Sequence, residues 1–294
     1  MKLSAFKTSA IISALAALSL TSCGNAHSSD QSPADTTVKT TDSTAASVPS
    51  ATVDIKTDTA SYTLNGKTFR SYIAYDQNRK GKLPIVVVMP EWWGLTNYSK
   101  NRAKKLAALG YFAIAADVFG KGDTATNPKE AMAFTKTYYT NPKLALAVVN
   151  SAEAKAASYP EADSSRVAAI GSCFGGYIVL NAAKMGAPLK AVVSFHGDLS
   201  GVQPVKGLFK GEILVCQGGD DHLVPEAAQA AFKKSMDSAG ITYNFVVYPG
   251  AVHAFTNPDA TALGEKFKMP IAYNAAADSS SWTAMKNLFS KTLN

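Results

Sequence analysis

From residue 83 onward the chain repeats one rhythm, and that rhythm restricts the fold more than any other feature. Short apolar, β-branched runs end in Gly, Pro or Asp: "LPIVVVMP", "YFAIAAD", "RVAAIGS", "KAVVSFHG", "GEILVCQG" and "YNFVVYPG". Between most of them lie stretches with helical spacing, such as "NYSKNRAKKLAALG" and "PEAAQAAFKKSMDSAG". Runs this short and this continuously apolar are buried on both sides, so the pattern predicts an α/β fold with a mainly parallel central sheet and helices on both faces. Just upstream, "SYTLNGKTFRSYIAYD" sets Asn65-Gly66 between two alternating runs and predicts a β-hairpin. In open sheets of this kind ligands bind beyond the carboxyl ends of the strands, which is where functional residues are to be sought.

The N-terminus has a different character. Met1 to Ser22 carries Lys2 and Lys7, then the apolar "IISALAALSL", and it ends in "LTSC". That order is the pattern of a bacterial secretory signal cleaved before a lipid-modified cysteine, and the apolar stretch is too short to span a bilayer. The sequence therefore predicts a signal peptide over 1–22, export from the cytoplasm, and anchoring to the cell envelope through lipid on Cys23. Residues 23–59, rich in Ser, Thr, Ala and Asp, have too few large apolar side chains to offset their ordering entropy and read as a tether; the folded domain is expected over 60–294. His27, inside the tether, reads as incidental. The formal charge of +7 is scattered rather than massed and accompanies no nucleic-acid motif, so a nucleic-acid partner is not expected. Nor do the four histidines share a metal-ligand spacing, and no cofactor motif is present.

If Cys23 carries lipid, Cys173 and Cys216 remain, on or after different central strands, which argues against a disulfide framework. Cys173 lies in "IGSCFGG", between the run Val167–Ile170 and a helical stretch. This is a G-x-nucleophile-x-G elbow with cysteine where serine is usual: small neighbours at Gly171 and Gly175 relieve crowding, and sulfur is presented at the amino end of a helix. The bland reading is a buried structural cysteine. An elbow, however, requires an acid and then a histidine in that chain order, each after a later strand. "QGGDDHLVP" supplies Asp221, with Asp220 as the alternative, and "AVHAF" supplies His253. His253 would accept the thiol proton and Asp221 would orient the ring. His222 reads as a turn residue, and His196, in "FHG", as a pocket-lining one. The oxyanion hole of such an elbow combines the amide after the nucleophile, Phe174, with one from the turn "MPEWWGL", Trp92. Glu91 in that turn is unusual, because a carboxylate near a thiol needs a hydrogen-bond partner.

Together "MPEWWGL", "AADVFGKG", "IGSCFGG", "GGDDHLVP", "YPGAVHAF" and "YNAAADSSSWTAMKNLF" resemble, in order, the landmarks of the dienelactone hydrolases. The resemblance extends from about residue 60 to the C-terminus and implies an α/β-hydrolase fold with a Cys173, Asp221, His253 triad. It also implies that Glu91 contacts the resting thiol and swings away when substrate arrives. Family members bind a substrate carboxylate with two arginines; the matching positions here are Lys121, which keeps charge without the bidentate fork, and Asn257, which keeps neither. The expected activity is hydrolysis of activated esters or lactones, small molecules whose leaving groups compete with a thiolate. The alternative, from a different class, is a tethered binding module on a hydrolase fold that has lost turnover.

Overall fold

The computed structural model describes residues 52–294. The signal segment, Cys23, His27 and nearly all of the tether lie outside the described residues. Eight strands form one sheet: β1 (Ile55–Leu64), β2 (Lys67–Asp76), β3 (Leu83–Met89), β4 (Phe112–Ala115), β5 (Ala162–Ser172), β6 (Ala191–Phe195), β7 (Glu212–Gly218) and β8 (Tyr243–Tyr248). Their spatial order is β1-β2-β4-β3-β5-β6-β7-β8. The β1–β2 and β2–β4 pairs are antiparallel and all others parallel, as expected for the α/β-hydrolase fold. Asn65 and Gly66, with φ of 52° and 75°, make the predicted hairpin turn.

One boundary differs from the sequence reading. β1 starts at Ile55, upstream of residue 60, because Ile55 to Thr59 pair with Tyr72 to Asp76 of β2. These strand residues are mostly exposed, and their Lys, Thr and Asp content resembles the stretch before them. Pairing with a buried neighbour, which composition does not report, makes them a strand.

Alternation along each central strand divides the core into two layers. From β3, Ile85, Val87 and Met89 enter the layer covered by α3 (Lys143–Ala157), α4 (Phe174–Lys184) and α5 (Glu226–Ala239). Val86 and Val88 enter the opposite layer, covered by α1 (Asn97–Ala108) and α7 (Ala275–Thr292). Each such side chain contributes about 1.5–3 kcal/mol relative to exposure. Two further helices, α2 (Pro128–Thr140) and α6 (Ala260–Phe267), complete the element order. Turns leaving the carboxyl ends of β3, β5, β7 and β8 carry Glu91, Cys173, Asp221 and His253. The parallel sheet thus brings residues remote in sequence to one rim.

Candidate active site

Cys173 joins β5 to α4 with φ 54° and ψ −117°, a conformation that costs a non-glycine residue about 1–3 kcal/mol. Its surroundings impose it. A methyl group on Gly171 would collide with the Gly175 carbonyl, and one on Gly175 with the Met89 carbonyl, so helix and strands approach closely only because both positions are bare. The Cys173 amide donates to Phe195 O at 3.0 Å and to His196 Nδ1 at 3.2 Å.

His253 Nδ1 lies 2.9 Å from Asp221 Oδ2. The Asp221 carboxylate is enclosed and held twice more, by Gln217 Nε2 at 2.7 Å and by the Leu223 amide at 3.0 Å. Asp220 is exposed, so of the two acids weighed from sequence the structure joins Asp221 to the imidazole. His222 is exposed as well. Burial alone would lower the His253 pKa. The facing Cys173 sulfur, together with the hydrogen bond that the ring N–H donates to Asp221, outweighs that and pushes it up to about 10. The ring is therefore a stronger base than an ordinary histidine, and it shares a cleft with Cys173.

Cys173 and His253 face a cleft of about 360 Å³ whose walls include Trp92, Trp93, Tyr139, Phe174, Leu223 and Met269. Backbone amides of Trp92 and Phe174 donate to no other group among the described residues, which leaves both free for an oxyanion. Glu91 is 3% exposed; its Oε2 accepts from Asn257 Nδ2 at 2.7 Å, and its Oε1 has no partner among the described residues. Burial pushes its pKa up to about 7, although the Asn257 bond and the charges of His253 and Arg102 pull the other way.

Four expectations are corrected here. Glu91 is held by Asn257, and among the described residues no hydrogen bond joins it to the Cys173 thiol. Asn257 is not among the residues lining the cleft, and its amide nitrogen serves Glu91 while its oxygen accepts from the Asp259 amide at 3.0 Å. Lys121 is exposed on the loop after β4, away from the cleft walls. That loop is tied down by Asp117, which accepts from the amides of Arg70, Phe119, Gly120 and Gly122, while Lys121 N donates to Thr68 O. His196 lies beneath the elbow, fully buried, and lines no part of the cleft.

Under the nucleophile runs a polar strut that no sequence motif announced. With His196 Nδ1 accepting from Cys173, the ring proton sits on Nε2 and points to Thr256 Oγ1 at 2.7 Å. Thr256 Oγ1 is 2.5 Å from Tyr98 OH, and Tyr98 OH is 3.0 Å from Ser172 Oγ. Arg102 donates to Tyr98 OH, to Thr256 O at 2.6 Å and to Asp278 at 2.5 Å. The one local signal is Arg102 itself, in register with Tyr98, Leu106 and Ala107 on the buried face of α1, where a charge requires a partner.

Comparison with known proteins agrees with this architecture. The model of the dienelactone hydrolase family matches residues 69–293. A protein of Methylorubrum extorquens provisionally named a carboxymethylenebutenolidase is 32% identical over 60% of this chain and 64% of its own length. Its namesake in Escherichia coli K12 is 27% identical over 76% of this chain and 83% of its own. Among solved structures, a dienelactone hydrolase-like promiscuous phosphotriesterase from metagenomic libraries superposes with a TM-score of 0.77 at 34% identity, covering 82% of this chain and 99% of that one. The chain belongs to the dienelactone hydrolase family, and with it to the hydrolases of carboxylic esters and lactones.

Proposed function

We propose that the chain cleaves activated esters or lactones through a Cys173–His253–Asp221 triad and a thioester acyl-enzyme. One observation carries this reading: a cysteine forced into an elbow at a helix N-terminus shares a cleft with a histidine that is itself bonded to a buried acid.

His253 takes the Cys173 thiol proton as the sulfur attacks the carbonyl carbon, and the carbonyl electron pair moves to an oxyanion received by the Trp92 and Phe174 amides. As the C–O bond breaks, His253 passes its proton to the leaving oxygen and the thioester remains. Water then gives a proton to His253 and attacks the thioester, the C–S bond breaks to release the acid, and His253 returns the proton to the departing sulfur. A thiol, with a pKa of about 8.5, is a far better leaving group than a simple alkoxide, whose parent resembles water at about 15.7. Alkyl esters and amides therefore revert, whereas enol lactones, aryl esters and thioesters proceed.

The test is p-nitrophenyl acetate turnover with mass spectrometry of quenched enzyme. Wild type shows an acetyl group on Cys173, and Cys173→Ala loses turnover by about 10³-fold or more. Undiminished turnover in Cys173→Ala excludes the assigned site, and the tethered binding module then becomes the better reading. Likeness to the promiscuous phosphotriesterase makes an uncharged p-nitrophenyl phosphotriester a second substrate in the same assay. Lipid on Cys23 would hold the domain at the cell envelope; fatty-acid labelling that persists in Cys23→Ala removes that part of the proposal.

A further inference from the structure

Among the described residues, no Lys or Arg lines the cleft, whose ionisable members are Glu91, Tyr139, Cys173, Asp198 and His253. The Cys173–His253 pair is neutral as a unit, and Glu91 is buried with an unpartnered Oε1, so a carboxylate arriving from solvent meets no compensating charge there. Asp198 faces the same space from the turn after β6. One of its oxygens accepts from the Ser200 amide at 2.8 Å, and its carboxylate lies within reach of the Tyr139 hydroxyl. Its charge reaches the nucleophile's neighbourhood: burial first, then Asp198 and the Cys173 sulfur, keep the Tyr139 phenol protonated.

A cation near Asp198 exists, but it points elsewhere. Lys184 is buried behind the wall, spends its protons on the Leu199 and Ser200 carbonyls at 3.1 and 3.3 Å, and stacks on Phe232. The two positions that match the family's carboxylate-binding arginines are unavailable: Lys121 is outside the cleft, and both ends of the Asn257 amide are engaged. The mouth, meanwhile, exposes apolar surface, with Leu223 at 54% and Tyr139 at 43%. An apolar rim matches substrates that bring apolar surface of their own.

We infer that this cleft selects uncharged substrates with an apolar acyl part and excludes those bearing a carboxylate, with Asp198 as a residue that sets the discrimination. The inference deepens the proposed hydrolysis and rests on that reading of the site, so its test is arranged to separate the two. On the full chain, iodoacetamide and iodoacetate are compared as alkylating agents of Cys173, followed on the Cys173 peptide by mass spectrometry and normalised to a small neutral thiol. The amide is expected to be preferred by about 20-fold over that reference, and Asp198→Asn, which can still accept from Ser200, to narrow the preference at least about threefold. In parallel, kcat/KM for p-nitrophenyl pentanoate should exceed that for mono-p-nitrophenyl glutarate by about 50-fold.

A normalised alkylation ratio near one, or a preference for the anionic partner in either pair, overturns the selectivity; so does an Asp198→Asn variant that folds and leaves the wild-type ratio intact. If Asp198→Asn does not fold, the wild-type ratios decide alone. Selective alkylation without turnover of either ester refutes hydrolysis while upholding the charge selectivity. Cys173-dependent turnover with no charge preference does the reverse.

Discussion

His253 and His196 are both buried and their rings meet edge to face, with centroids 5.2 Å apart, yet their pKa values are driven in opposite directions. Burial penalises the cation in both. His253 faces the Cys173 sulfur and Asp221, and those negative partners outweigh the penalty. His196 faces a backbone N–H and a threonine hydroxyl, and the nearby charges of His253 and Arg102 add to burial, so its pKa lies well below the ordinary value. Depth in the protein therefore does not decide whether a ring moves protons; the sign of its hydrogen-bond partners does. One imidazole is equipped for proton transfer, and its neighbour serves as a fixed post under the elbow.

Removing the acid should erase the difference. Asp221→Asn takes away the anion behind His253, making its surroundings more like those of His196, and kcat for an activated ester should fall by about 10²–10⁴-fold. Steady-state kinetics on the folded variant checks this, with Asp220→Asn as the control at an exposed acid. A loss smaller than about threefold in Asp221→Asn would mean that Asp221 does not orient the ring.

Glu91 sharpens the comparison, since it is a buried acid without a cationic partner. An unfolded glutamate ionises near 4.5, whereas the folded chain keeps this one protonated to about pH 7. Its stabilising contribution is therefore complete below pH 4.5 and is lost as pH rises to 7, a decline of about 3 kcal/mol. Glu91→Gln retains a neutral side chain throughout. Urea unfolding at several pH values should show the variant gaining on wild type by about that amount across this window; parallel curves would mean that Glu91 is already ionised in the folded protein.

Much of this was legible in the sequence because strand, turn and motif signals are local. The hairpin at Asn65-Gly66, the central strand runs and the elbow around Cys173 depend on neighbours within a few residues, and each occurs where the pattern placed it. Chain order was enough to bring Asp221 and His253 to the rim of Cys173, because consecutive parallel strands present their carboxyl ends on the same side. What stayed hidden was direction and pairing. Lys121 and Asn257 were found by position, but whether a side chain points into a cleft or is consumed by another group depends on the loop path, as with Asp117 and Glu91. The strut was invisible for a related reason: Tyr98, His196, Thr256 and Asp278 come from four separate stretches and form no spacing pattern.

That strut has a consequence for how the site comes into being. Arg102, early in the domain, is fastened to Asp278 on the final helix, a separation of 176 residues. Contacts so distant in the chain form late, since the intervening loop must close first. The groundwork beneath the nucleophile is thus complete only once α7 has docked against α1, so the support of the elbow is the last part of the site to be put in place.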